Sequence, residues 1–289
     1  MPLDAIFNLA SMTKVLTAVG ALTLNEEGRL PLKSRLDEYF PQFAHMKVGT
    51  DNAEPARPIF IHDLYRHTSG FTYGARGNTP VHKLYPGGSS GAAAQYTLKA
   101  AVWDKVKMPD TSFEVPAEKR KRLARPLPKD PIDGKEQNIA ILDKPVKFDC
   151  AGSCAFSTVG DYLRFGQMLL DGGAIDGRRV LSPKTVAVMT SDHLGANIKN
   201  QVAGTEPHRD GYGFGLAVAV RTHDGVAAVP GSKGDFTWNG ANGTAFWADP
   251  QERLVVVYGT VAPGEIRKYY REQMGALVYG AMTALRKSD

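Results

Sequence analysis

The sequence predicts an α+β fold: an antiparallel sheet with helices packed against it, beside a mostly helical region carrying long loops. Three observations predict it. Helical apolar spacing dominates the first two-thirds of the 289 residues. Four short strand-like runs, separated by Gly, Pro, Asn and Asp turns, follow between residues 211 and 261. A long amphipathic segment then closes the chain. No internal repeat or low-complexity segment interrupts this order.

The first element is FNLASMTKVLTAVGALTLNEEG, residues 7–28. Val15, Leu16, Val19, Leu22 and Leu24 recur at helical spacing, and Gly28 falls where a helix stops. Ser11 is thereby placed at the first turn, with Lys14 one turn later on the same face. In GRLPLKSRLDEYFPQF, Leu30, Leu32, Leu36 and Phe40 are expected to pack as a connector, and residues 41–58 are polar and punctuated by proline. IFIHDLYRHTSGFTYG gives a short helix with Ile61, Leu64 and Tyr65 on one side, ending at the turn Thr68-Ser69-Gly70. The Gly- and Pro-rich stretch 74–92 reads as a loop, and residues 96–107 as a short helix around Leu98, Val102 and Val106. Residues 108–149 read as an irregular excursion over the surface.

Order then improves. STVGDYLRFGQMLLDGG opens on a capping Ser or Thr, sets Tyr162, Phe165, Met168 and Leu169 on one face, and stops at Gly-Gly. SPKTVAVMTSDH is a second capped helix. The strand-like runs are GYGFGLAVAV, GVAAVPGS, GTAFWADP and RLVVVYGTV. In the closing IRKYYREQMGALVYGAMTALRK, Tyr270, Met274, Leu277, Val278, Ala281 and Leu285 form one apolar stripe expected to cover the sheet.

Composition sets outer bounds. With 43% hydrophobic and 22% charged residues, the chain is globular material for one large domain or two modest ones. The net charge is +5, but the basic residues are scattered. The densest run, Glu118-Lys119-Arg120-Lys121-Arg122, is short and lies beside Pro116 and Pro126; it reads as solvated surface, and nucleic acid is not an expected partner. No run of about eighteen apolar residues occurs, so no membrane span is expected. MPLDAIFNLA lacks a basic stretch followed by an apolar core, so no signal peptide is read and the expected location is cytoplasmic. Cys150 and Cys154, the two cysteines, make neither a disulfide framework nor a zinc set. Free buried thiols are expected, with a local bridge as the alternative.

The chemistry centres on Ser11-Met12-Thr13-Lys14, the one Ser-x-x-Lys tetrad in the sequence. A serine hydroxyl attacks poorly until a neighbouring base takes its proton. A lysine is such a base where burial and nearby positive or dipolar groups disfavour an ammonium ion. The field at a helix N-terminus does this, and also favours a developing oxyanion. The competing reading is an amphipathic helix with a capping serine and a solvated lysine. No Gly-x-Ser-x-Gly elbow occurs, which argues against an α/β-hydrolase. His62, His193, His208 and His223 lack metal-like spacing.

IFNLASMTKVLTAVGALTLNEEGRLPL, IHDLYRHTSGFTYG, STVGDYLRFGQMLLDGG and the tail GYGFGLAVAV…GSKGDFTWNGANGTAFWADPQERLVVVYGT together resemble the serine beta-lactamase-like superfamily. The likeness is to esterases related to class C beta-lactamases and to penicillin-binding DD-peptidases. It runs through most of residues 5–285, with a poor patch at about 75–148. The resemblance implies a beta-lactamase/transpeptidase-like fold in two parts with a cleft between them. Residues 1–28 and 195–289 would form an alpha/beta sandwich, and residues 29–194 the mostly helical part. It implies Ser11 as the acyl-accepting nucleophile and Lys14 as the group that deprotonates it. The family's third motif, Lys-Thr-Gly in lactamases and often Trp-x-Gly in esterases, is matched by Trp238-Asn239-Gly240. Gly240 then lets a substrate approach the strand, and Ala241 and Ser11 offer their N–H groups to the oxyanion. The other reading of Trp238 is a core aromatic beside glycine turns. Ser232-Lys233-Gly234 comes too early, in the turn before that strand. His67, in HTSG, matches a family turn and is expected to hold it by hydrogen bonds.

Two departures stand out. The family carries a leading helix and one or two strands before the serine helix, whereas this chain starts almost at the serine. Its sheet is expected to expose unpaired edges, which a homodimer would cover. The family's second motif is a tyrosine, Tyr-x-Asn or Tyr-Ser, that moves the proton between serine, lysine and leaving group. Its usual surroundings are missing between Tyr96-Thr97-Leu98 and KMPDTSFEVP. Tyr96 is the candidate by order, with Tyr85 and Tyr212 behind it; its other reading is a helix-packing aromatic.

The implied activity is hydrolysis of a small-molecule ester or amide, first a carboxylic ester, with weak beta-lactam hydrolysis beside it. Trp238-Asn239-Gly240 lacks the cation that grips a beta-lactam carboxylate, which favours neutral esters. No metal or organic cofactor is needed. The alternatives are an impaired relative that is acylated without turnover, and a DD-peptidase or D-amino-acid amidase. The missing Lys-Thr-Gly and the absent export signal count against the last two.

Overall fold

Five strands form an antiparallel meander in sequence order: β5 (Tyr212–Phe214), β6 (Ala219–Arg221), β7 (Phe236–Asn239), β8 (Ala245–Asp249) and β9 (Leu254–Tyr258). The computed structural model that shows this describes residues 2–49, 51–71, 98–139, 142, 150–206 and 208–286. The run GYGFGLAVAV divides into β5 and β6, with Ala217 in the turn between them at φ +66°. GVAAVPGS, expected as a strand, forms none. Its carbonyls serve a different donor. Arg221, in a buried ion pair with Asp235 (2.7 Å), donates to Pro230 O at 3.1 Å, so this stretch wraps a guanidinium rather than pairing with a neighbour.

Two further antiparallel pairs stand outside the meander. β1 (Ile6–Asn8) pairs with β2 (Phe156–Thr158), and β3 (Ala174–Ile175) with β4 (Arg178–Arg179). The β1–β2 pair positions the site, because β2 runs directly into a core helix and β1 reaches one through a single short turn. α1 (Thr13–Glu26) buries Val15, Leu16, Val19 and Leu22. The expected caps are present further on. Thr158 Oγ1 accepts from Asp161 N (3.1 Å) at the head of an inner helix, Val159–Leu170, and Ser182 Oγ accepts from Thr185 N (3.1 Å) at the head of Pro183–Met189.

Between these lie α2 (Leu36–Tyr39), α3 (Ile61–Tyr65), and a wide turn over Lys99–Trp103 that runs into α4 (Asp104–Val106). Val159–Leu170 is α5 and Pro183–Met189 is α6. Tyr162, Phe165, Met168 and Leu169 of α5 are buried; Gly166 leaves room for Val255 of β9, and the Tyr162 ring lies 5.2 Å from Phe246 of β8. Leu98, Val102 and Val106 are buried as the spacing required. Residues 108–139 are irregular, but they do more than cross the surface. Met108 and Phe113 enter the main core, and Val115 joins Ile6, Ile139, Leu142 and Phe156 in a second cluster.

Two expectations need correction. The C-terminal helix α7 (Ile266–Gly280) does not bury its apolar stripe: Leu277 is 67% and Leu285, beyond its end, 79% exposed. The residues it turns to the sheet are Arg271 and Tyr279, whose polar tips have buried partners there, Glu206 and Asp249. Cys150 and Cys154 are bridged by a disulfide across a Cα–Cα distance of 5.2 Å, in place of the free thiols expected. Their spacing lets a tight loop bring the two sulfurs together. Among the described residues, no helix is long and apolar enough to cross a membrane.

Candidate functional site

Ser11 sits in a 3-10 turn, Ala10–Met12, wedged between β1 and α1. Ala10 adopts φ +45°, a left-handed conformation that costs a non-glycine residue free energy and persists only where the surroundings enforce it. Here they do. The Ala10 N–H donates to Asn8 Oδ1 (3.2 Å) and Leu9 N to Ala155 O (2.8 Å), while Tyr162 Oη donates to Met12 O (3.1 Å). One turn on, Lys14 Nζ lies 3.1 Å from Ser11 Oγ and donates to Gly152 O at 2.7 Å. Thr17 Oγ1 donates to Ala151 O (2.7 Å), and Thr13 Oγ1 accepts from Ala155 N (3.1 Å). The 150–155 segment therefore runs along the head of α1, and the Cys150–Cys154 bridge closes it into a loop.

The second wall is the end of β7, which packs against the serine turn. Gly240 is required there: a Cβ would collide with Leu9 O and Thr244 Oγ1. Asn242 Nδ2 donates to Asn8 Oδ1 at 2.7 Å, the same oxygen that holds Ala10 N. Asn8 thus ties the turn carrying Ser11 to the turn carrying Gly240 and Ala241. Trp238 is buried against Phe214 (5.2 Å between ring centroids) and His67 (5.8 Å), with the Arg209 guanidinium 4.5 Å from its ring centre. Asn239, next in the strand, turns to the opposite face. There it lines a small cavity of about 50 Å³ with Thr237, Trp247, Arg271 and Tyr279, and this lining contains neither Ser11 nor Lys14. In the orientation that satisfies its amide, Asn239 donates to Trp238 O and accepts from Arg209 Nη2, both at 3.0 Å.

Tyr96 and Tyr85 lie outside the described residues. Tyr212 lines the cavity beneath α7, with the Arg221 guanidinium 5.0 Å from its ring centre. His67 does not hold its turn through hydrogen bonds of its ring. That task falls to Asp63, a buried carboxylate accepting from Arg57, Arg66, Thr68 Oγ1 and Phe60 N. Burial pushes the Asp63 carboxyl up, but Arg57, the Phe60 amide and Arg66 hold it well below the usual range. The His67 ring instead packs 4.8 Å from Phe214, reachable by solvent yet set deep in the protein mass. That depth, reinforced by the charge of Lys14, brings its pKa down to about 4, so the imidazole beside Lys14 is neutral near pH 7. His62 Nε2 meets His193 Nδ1 at 2.9 Å, a pairing that sequence spacing did not announce.

The sequence reading missed Asn8, Gly152 and Asn242. Gly152 contributes a backbone oxygen, which no side-chain pattern can flag. Asn8 lies three residues before Ser11, but an isolated asparagine in a strand carries no signal of its own.

Comparison with known proteins yields a family and a fold. The family model described as Beta-lactamase matches residues 1–97 and 87–274. Protein Rv1367c of Mycobacterium tuberculosis (strain ATCC 25618 / H37Rv) is 32% identical over 311 residues, spanning 89% of this chain and 78% of that protein. Unliganded simvastatin synthase (LovD) from Aspergillus terreus superposes with a TM-score of 0.77 at 19% identity, covering 98% of this chain and 86% of that one. EstCE1, a hydrolase with promiscuous acyltransferase activity, also gives 0.77, at 20% identity, with coverage of 97% and 86%.

Proposed function

This chain belongs to the beta-lactamase family, and on that premise we propose that it is a carboxylesterase-type serine hydrolase working through an acyl-enzyme on Ser11. The observation that carries the reading is the 3.1 Å approach of Lys14 Nζ to Ser11 Oγ at a strained, tightly held turn. That distance is within proton-transfer reach. Gly152 O, at 2.7 Å, engages one N–H of the lysine. In the neutral amine this bond leaves the lone pair to accept the serine proton.

Ser11 Oγ attacks the ester carbonyl while Lys14 takes its proton. The N–H groups of Ser11 and Ala241 receive the developing oxyanion. The C–O bond to the alcohol then breaks, Lys14 returns the proton to the departing oxygen, and Ser11 carries the acyl group. Water attacks this ester, its proton passes to Lys14 and on to Ser11 Oγ, and the acid leaves. Trp238 presents an indole where lactamases carry the lysine of Lys-Thr-Gly, which supports neutral esters as substrates. EstCE1, a hydrolase with promiscuous acyltransferase activity, supports an acyl-serine that either water or an alcohol resolves.

The test is intact-mass spectrometry after mixing the protein with p-nitrophenyl acetate, beside Ser11→Ala, while nitrophenolate release is followed. Steady release that is lost in Ser11→Ala supports the esterase. One equivalent of release with a lasting adduct of acetyl mass assigns the chain to the relatives that acylate without turnover. Folded protein with neither adduct nor release refutes the reading.

A further inference from the structure

Arg271 is an unusual residue for the buried face of a surface helix. It is 6% exposed, its Nη1 lies 2.5 Å from Oε1 of Glu206, itself 8% exposed, and its Nη2 donates to Gly240 O and, at 3.2 Å, to Thr244 O. Desolvating such a pair is costly, and apolar residues of the same size commonly serve stability as well or better. Its target is more specific than packing requires, because Gly240 directly precedes Ala241.

The C=O of Gly240 and the N–H of Ala241 belong to one planar peptide unit. That unit is trans, as are all peptide bonds described, so the two groups point in opposite directions. Arg271 reaches the carbonyl from the α7 side of the sheet, where Tyr279 stacks on Trp247. The serine turn lies on the other face: Tyr162 touches both Met12 O and Phe246, and Phe246 points away from its neighbour Trp247. Gly240 O also accepts from Gly243 N (3.0 Å) across the β7–β8 turn, so Arg271 adds a charged donor from the α7 side to a carbonyl the turn already holds, and the Ala241 N–H at the other end of that peptide is directed toward the serine side. A guanidinium on the oxygen also polarises the peptide and strengthens its N–H as a donor.

We propose that Arg271, oriented by Glu206, is a positioning residue that aims and polarises the Ala241 amide at the oxyanion of the acyl-transfer step. This rests on the reading of Ser11 and Ala241 given above. The pair acts from behind the strand and never touches substrate.

The experiment measures Ser11-dependent hydrolysis of p-nitrophenyl acetate, together with affinity for phenylboronic acid, whose tetrahedral serine adduct mimics the oxyanion. Glu206→Gln/Arg271→Met removes the pair at near-constant volume; the buried Arg209, which also faces the charge of Glu206, stays behind, so circular dichroism and thermal melting report whether the variant folds. We expect KM within about twofold and kcat lower by about tenfold or more, below the ~10²–10³ lost with a whole oxyanion donor. Boronate affinity falls in the same proportion as kcat. Arg271→Lys keeps the charge opposite Glu206 but not the fork that reaches both partners, and shows an intermediate kcat. If the double variant does not fold, a wild-type kcat and boronate affinity in Arg271→Lys overturns the proposal. So does a folded double variant with both values unchanged, and if Ser11→Ala is inactive in that experiment the esterase reading stands without it. Wild-type protein with no Ser11-dependent release overturns both.

Discussion

Removing the Cys150–Cys154 bridge tests how the lysine is held. The bridge spans a sequence separation of only 4, so the chain-entropy model assigns it about 2 kcal/mol, near the lower end for a disulfide. Its local effect is larger in proportion. The loop it closes supplies Gly152 O to Lys14 and Ala151 O to Thr17, both at 2.7 Å. A typical intramolecular hydrogen bond contributes about 0.5–1.5 kcal/mol, and a relaxed loop forfeits part of that in placing Nζ beside Ser11. Cys150→Ser/Cys154→Ser is therefore expected to lose up to about 2 kcal/mol in urea unfolding. Its Ser11-dependent kcat on p-nitrophenyl acetate should fall about three- to tenfold, because a misplaced base weakens proton transfer rather than substrate binding. Wild-type protein reduced with dithiothreitol, its thiols confirmed by mass, should match the variant. Unchanged kcat in both would show that the loop holds Lys14 without its staple, and the account of the bridge would be wrong.

Gly240→Ala introduces a Cβ into Leu9 O and Thr244 Oγ1; backbone must move at the joint between the two turns, so stability should drop by about 1–3 kcal/mol and kcat by more than tenfold, with equal activity in the purified variant counting against that joint. Acid should destabilise the protein. His62 and His208 are held near 4 by burial first, then by Arg66 and Arg209, against 6.5 in the unfolded chain, so their contribution is intact above pH 6.5 and lost toward pH 4. Asp235 opposes them, since burial raises its carboxyl to about 6 despite Arg221 and its protonation favours the folded state below that pH. These two histidines, with the exposed His67 adding a strongly screened loss of the same sign, outweigh the one aspartate by on the order of 2 kcal/mol between pH 7 and 4, and urea unfolding whose stability stays flat or rises over that range would contradict it.

What was legible in the sequence follows the physics of local pattern. α1, α5 and α6 were readable because apolar spacing and caps act within a few residues, and Thr158 and Ser182 accept the bonds their positions promised. Ser11, Lys14, Trp238 and Gly240 stand out as short motifs, and β5, β6, β8 and β9 as runs bounded by turns, while β7 fell outside the runs. What escaped are the residues that join distant segments through polar contacts. Asn8 and Asn242 meet across 234 residues of chain. Arg271 looks like any solvated helix charge until the fold sets it against Gly240 O. GVAAVPGS misled for the same reason: its apolar letters suggested pairing, while the buried guanidinium of Arg221 claims its carbonyls.

The exposed stripe of α7 and the polar back of β7 are one phenomenon. A helix laid over a sheet normally turns its apolar stripe inward, since each buried large side chain contributes about 1.5–3 kcal/mol. Here Leu277 stays outside, while Arg271 and Tyr279 face inward to Glu206, Gly240 O and Asp249. Beside the same strand, Arg209 is fully buried, bonded to Thr205 Oγ1 at 2.8 Å and set against the face of Trp238. Apolar burial alone would choose neither residue. Both guanidiniums address the strand end that carries Trp238, Gly240 and Ala241, where orientation matters more than area. The Gly243 N–H holds the Gly240 carbonyl within the turn (3.0 Å), and a buried fork with its own counter-ion adds a second, charged donor that a hydrophobic contact cannot supply. The helix rotation that hides Arg271 and bares Leu277 is the one that lets the chain grip this strand from behind while the serine turn closes on its front.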